Sequence, residues 1–95
     1  MNAPLMLPEL DQNDVQTRRW MVVIFNDDVT PIDLVVFTLM NATGCDLDEA
    51  SMETWEAHHF GKAPVHFDSE AECRHVAKMI EQIGVKTSVS PEWND

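Results

Sequence analysis

Two groups of side chains in this chain could act together on a cation that donates hydrogen bonds. The first is Asn26-Asp27-Asp28, an amide and two carboxylates in succession. It directly follows the apolar run Trp20-Met-Val-Val-Ile-Phe25 and precedes Thr30-Pro31. The second is His58, whose neutral imidazole offers one accepting nitrogen. Three polar acceptors at the end of an apolar segment suit a partner carrying positive charge and hydrogen to donate. Turn chemistry accounts for the triplet too, because an Asn or Asp side chain can bond the backbone two residues on. The residue types alone leave both readings open.

Other chemistries are poorly provided for. The four histidines are His58, His59, His66 and His75. On a helix, His58 and His59 point roughly 100° apart and cannot easily share an ion. No HExxH or CxxC motif is present, and Glu56 lies two residues before His58, the wrong spacing for one helix face. A metal is therefore not expected. Asp27 and Asp28 are adjacent, unlike the opposed carboxylates of a hydrolase. Ser51 and Thr54 lie near His58, but no nucleophile elbow or glycine-rich oxyanion loop accompanies them. With three glycines in the chain, a phosphate-cradling loop is also missing. The residues point to binding, with no catalysis and no cofactor.

The elements that must position these groups are readable from pattern. Residues 20–25 are short, β-branched in the middle and apolar on both faces, which predicts a central strand. Thr30 as cap, Pro31 at the first helical position and Asp33 beyond predict a helix start. Leu34, Val35, Thr38, Leu39 and Ala42 would form its buried face, and Gly44 its end. Asp46 caps a second helix with Leu47, Ala50, Ser51, Thr54, Ala57 and His58 along one stripe, stopping before Gly61. Residues 62–68 predict a second strand, and Pro64 places it near a sheet edge. Ser69-Glu-Ala-Glu72 opens a third helix as a capping box, with Val76, Met79, Ile80 and Ile83 inward and Gly84 at its end. Residues 85–89 predict a last short strand. Met21, Met40, Met79, Phe37 and Trp55 are expected to fill core space, Trp55 with part of its ring exposed.

The order β-α-α-β-α-β predicts an α+β two-layer domain, a three-stranded antiparallel sheet with three helices on one face. Residues 1–17, acidic and without period, predict a flexible arm, 18–90 the core domain, and 91–95 a tail. If the first two helices pack antiparallel, as their short connection implies, His58 returns toward Asn26 and Asp27.

The totals set outer limits. Ninety-five residues, 44% of them hydrophobic, make one domain with a modest core. A net charge of −11, from 17 acids against 6 Lys and Arg, argues against nucleic acid and anionic membranes as partners. No apolar run reaches the ~18 residues of a membrane span, and the first residues lack the basic start of a secretory signal. Cys45 and Cys73 read as reduced thiols, so a cytoplasmic protein is expected.

The combination N-D-D-x-T-P at 26–31, a helix carrying Leu34-Val35-Val36, and H-x-x-G-K at His58, Gly61 and Lys62 resembles the ClpS adaptor family of the Clp protease system. The likeness covers residues 20–84. It implies the same fold and no enzymatic activity. It implies recognition of N-degron peptides with a bulky hydrophobic first residue, delivered to a ClpA-type AAA+ unfoldase. Position by position, Asn26, Asp27 and His58 would contact the peptide's α-ammonium, and Thr30, Ile32, Val35, Thr54 and Ala57 would line the side-chain pocket. The arm would take part in delivery, and Glu70 and His75 would lie near the unfoldase-docking surface. A protonated His58 would oppose the ammonium, so binding should weaken as pH falls through the histidine range. The family commonly carries methionine at the positions of Ile32 and Thr54. Their replacement implies a pocket that keeps Leu, Phe and Trp and admits Ile or Val more readily. Val85 and Val89 are candidates for a pocket residue near the last strand. The alternative is a protein–protein docking or regulatory module of the same fold without amine recognition.

Overall fold

The computed structural model describes residues 18–93; the expected arm at 1–17 and the last two residues of the expected tail lie outside them. The elements run β1 (Trp20–Phe25), α1 (Ile32–Thr43), α2 (Leu47–Phe60), β2 (Lys62–Asp68), α3 (Glu70–Glu81) and β3 (Thr87–Pro91). The sheet order is β2-β1-β3 and both pairings are antiparallel. The α+β order and the central place of the first strand are as expected.

The apolar character of β1 on both faces follows from that place. Val22 and Ile24 are fully buried in the main core, and Val23, pointing to the other face, is nearly so. Val35, Val36 and Leu39 of α1, Ala50 and Ala57 of α2, and Val76 and Ile80 of α3 complete the core against the Val22–Ile24 face. Pro64 sits on edge strand β2 opposite Val23, where the register slips between Val22 and Val23. An edge bulge is where a residue without an N–H is tolerated.

Several local expectations are corrected. Thr30 does not cap α1: Pro31 takes the N-cap position with extended backbone and no side-chain cap bond. The Thr30 hydroxyl is engaged with Asp27 instead. The buried stripe of α1 is Val35, Val36 and Leu39, leaving Leu34 exposed and Phe37 60% exposed. At about 100° per residue, Phe37 lies roughly 200° from Val35 and faces outward. Trp55 and Leu47 of α2 are each more than half exposed, since the stripe there is Ala50, Thr54 and Ala57. The last strand starts at Thr87, two residues later than expected, and runs through Pro91. Beyond it, Glu92 N donates to Arg19 O (2.9 Å) and its carboxylate pairs with the Arg19 guanidinium (2.9 Å). The sheet and its flanking bonds therefore reach past residue 90.

The helix starts form at Asp46 and Ser69, but the capping box at Ser69 is half made, because the Ser69 N–H donates to Asp68 Oδ1 (2.6 Å) and not to Glu72. Asp46 accepts from Glu49 N (2.8 Å) and Ser69 from Glu72 N (3.2 Å). Cys45 and Cys73 are both free thiols. Among the described residues no helix is long and apolar enough to cross a membrane.

Candidate functional site

Backbone bonds at the end of β1 draw three distant segments together. Asn26 N donates to Gly61 O (2.9 Å), and Phe25 N donates to Lys86 O (3.0 Å). The first bond ties the end of α2 to the strand end; the second brings in the linker before β3. Gly61 ends α2 in a left-handed conformation, φ +90°, with its N–H on Ala57 O. A residue with a side chain pays about 1–2 kcal/mol for that backbone. The turn places His58, one helical turn earlier, beside the strand end.

A pocket opens at this junction, with an interior space of ≈ 40 Å³. Asn26, Asp27 and His58 supply its polar lining. Thr30, Ile32 and Val35 line it from the turn and α1, and Thr54 and Ala57 from α2. All eight residues expected in the recognition site therefore lie around one pocket. Ile24, Phe25 and Val85 also line it. Of the two candidates near the last strand, the pocket takes Val85 and not Val89. Ile24 and Phe25 were not foreseen; their position at the strand end immediately before Asn26 is the signal that could have found them.

The polar groups differ in how they are held. Asp27 Oδ1 accepts from Val29 N (2.7 Å) and Thr30 N (3.2 Å), and Oδ2 accepts from the Thr30 hydroxyl (2.6 Å). These bonds, that of the Thr30 hydroxyl foremost, hold the Asp27 carboxyl below its ordinary pKa. The turn reading is thus realised, and it keeps the carboxylate charged. A carboxylate has about four lone-pair directions, so acceptor capacity remains. Asn26 Nδ2 donates to Asp28 Oδ1 (3.3 Å), which leaves the Asn26 carbonyl oxygen to accept. Asp28 serves as an orienting partner rather than as pocket lining. Among the described residues, the His58 ring nitrogens bond to no protein group, while its ring meets His59 edge-on at 5.5 Å. The Thr54 hydroxyl donates to Ala50 O (2.8 Å) and is unavailable as a donor to the pocket. The apolar walls and the three acceptors can hold a group that is cationic at one point and greasy at the next.

Glu70 and His75 are exposed on the outer face of α3, apart from this pocket. Glu70 is paired with Arg74 through Oε2 at 2.7 Å.

A model of the family described as "ATP-dependent Clp protease adaptor protein ClpS" matches residues 15–89. The chain belongs to the ClpS family. ClpS adapter proteins from two Campylobacter jejuni subspecies, jejuni (strain 81-176) and doylei (strain 269.97), are each 39% identical over 46 residues. Those matches cover 48% of this chain and 48% of each relative, so about half of each relative's length is spanned. In structure the chain is similar to Agrobacterium tumefaciens ClpS2 bound to L-phenylalaninamide. The TM-score is 0.74 with 25% identity, covering 79% of this chain and 98% of that one.

Proposed function

We propose that this ClpS-family chain is a non-catalytic adaptor of the Clp protease. It binds N-degron peptides with a bulky hydrophobic first residue and delivers them to a ClpA-type unfoldase in the cytoplasm. The observation that carries the reading is the pocket at the end of β1, where Asn26, Asp27 and His58 stand beside an apolar hollow formed by Ile32, Val35, Ala57 and Val85. The ammonium would be met by the Asn26 carbonyl, the Asp27 carboxylate and a neutral His58 nitrogen, three acceptors for three donors. The side chain of the first residue would fill the hollow. L-Phenylalaninamide, the ligand named for the A. tumefaciens neighbour, carries both features on adjacent atoms.

The energetics are sufficient. Each charge-assisted bond contributes roughly 1.5–3 kcal/mol and burial of a Leu or Phe side chain roughly 1.5–3 more. After association costs of at least about 4 kcal/mol, the upper end of these gains reaches an affinity near 1 μM, about −8 kcal/mol. The interior space corresponds to about three waters at ~10–15 Å³ each, so a large side chain requires the wall to yield. In delivery, Glu70 and His75 on α3 and the segment 1–17 would contact the unfoldase.

The test is peptide binding across all twenty first residues, with acetylated controls. Free-amine Leu, Phe and Trp peptides should bind at micromolar concentration and lose binding on acetylation or on Asp27→Ala or His58→Ala. Equal binding of the acetylated peptides would defeat the reading. Capture of a ClpA-type unfoldase with no peptide binding would leave the docking module in its place.

A further inference from the structure

On the far side of α2 from His58's end, a second group of side chains converges. Cys45 lies in the short link between α1 and α2, its N–H held by the Thr43 hydroxyl (3.2 Å). Glu49 and Glu53 follow at four-residue intervals, so they stand one above the other on α2. The Cys45 sulfur and one carboxylate oxygen from each glutamate lie within 4.8 Å of one another. One oxygen of Glu53, Oε1, is sealed from solvent and has no hydrogen-bond partner. A buried acceptor left unpaired costs about 1–3 kcal/mol, so a cation at this oxygen would be favoured. The three residues line one open groove, and His66 of β2 lines it as well.

We propose that Cys45, Glu49 and Glu53 form a binding site for a single zinc ion; His66, which lines the same groove, is the candidate fourth ligand and would have to move toward the other three. The donor set decides the metal. A thiolate with carboxylates and an imidazole selects zinc over magnesium or calcium, which take oxygen alone. In tetrahedral zinc, S–Zn and O–Zn bonds of about 2.3 and 2.1 Å put neighbouring ligand atoms about 3.4–3.6 Å apart. The three atoms need to close by about 1 Å to reach that. His66 Nε2 is 3.8 Å from an Asp68 carboxylate oxygen. On binding, the Cys45 S–H proton and any proton on Glu53 leave to solvent, and the ion takes their place. The ion would clip the α1–α2 link to edge strand β2.

The test uses the full chain, with cobalt(II) and zinc(II) as the only added ligands. Cobalt should give a sulfur-to-metal charge-transfer band at one equivalent, and zinc should displace it. Calorimetry with zinc should show one site, weakened at least tenfold in Cys45→Ser and in Glu53→Gln and retained in the double variant His58→Ala/His59→Ala. Circular dichroism establishes that each variant is folded; if Cys45→Ser is not, Glu53→Gln carries the test. Absence of the charge-transfer band, or zinc binding that survives Cys45→Ser and Glu53→Gln but is lost in His58→Ala/His59→Ala, would overturn the proposal.

Discussion

Both oxygens of the Asp27 carboxylate are engaged inside its own turn, and that engagement has a pH signature. The hydroxyl of Thr30, then the N–H groups of Val29 and Thr30, lower its pKa in the folded state. A carboxyl whose folded pKa lies below its unfolded value, about 3.9 for Asp, contributes stability above that value. The contribution is lost as pH falls through the folded pKa. Urea unfolding of the wild type and Asp27→Asn should therefore differ most at neutral pH, and the difference should shrink below about pH 4. A difference of the same size at pH 7 and pH 3 would remove the charge from the explanation. Ile32 bears on selectivity in the same way. A β-branched side chain on a helix is nearly confined to one χ1 rotamer, whereas methionine has three rotatable bonds. The wild type should bind Ile- and Val-first peptides within about tenfold of Leu, and Ile32→Met should widen the gap by 10-fold or more, the size of a methylene-scale distinction. Fluorescence anisotropy on peptides differing only at the first residue measures it; a wild type that already rejects Ile and Val strongly would end the idea. At this scale the residue types left Asn26-Asp27-Asp28 open between turn and ligand, because both use the same acceptors. The structure shows the turn and leaves lone pairs for the ligand. Glu49 and Glu53 share one face of α2, but Cys45 joins them only through the geometry of the α1–α2 link, which spacing alone does not reveal.

Elements were legible where a local signal fixes them. The caps at Asp46 and Ser69 bond to the third residue of their helices as their sequences require, and the Pro64 strand lies at the sheet edge. Signals failed where tertiary contacts decide. Thr30 looks like a cap, but Asp27 competes for its hydroxyl at 2.6 Å. Val85 looks like strand, but it lies buried in the linker before β3, with Lys86 O fastened to Phe25 N. Phe37 counted as core by its apolarity although its angle on α1 turns it outward. The two left-handed helix ends allow stability and site geometry to be separated. A Cβ at Gly44 or at Gly61 would meet no atom within 4 Å, so alanine at either costs backbone conformation alone, about 1–2 kcal/mol. Gly44→Ala and Gly61→Ala should thus lower the melting temperature by similar amounts, about 4–8 °C per kcal/mol for a domain of this size. Only Gly61→Ala should also weaken peptide binding, since Gly61 O is bonded to Asn26 N. Equal binding by both variants would mean that this bond does not position His58.

The whole molecule joins these levels, because its pocket belongs to no single element. Its lining comes from the end of β1, the start of α1, the end of α2 and the linker before β3. The order of elements was readable from hydrophobic period and capping. The meeting of residue 26 with residue 61, which creates the pocket, was inferable only from two helices returning antiparallel. A site assembled this way exists only in the folded chain, so its ligand should stabilise the fold by mass action. At a peptide concentration of 100 times the dissociation constant, the gain is about 2.7 kcal/mol. For a domain of 60–100 residues that corresponds to a rise of about 10–20 °C in the melting temperature. A Leu- or Phe-first peptide should produce this shift, and the same peptide acetylated at its amine should produce none. The comparison holds length, hydrophobicity and concentration constant, so only the ammonium differs. A shift of similar size from both peptides would trace the stabilisation to apolar contact elsewhere on the surface, where Met52, Trp55 and Phe60 are exposed, and not to Asn26, Asp27 and His58.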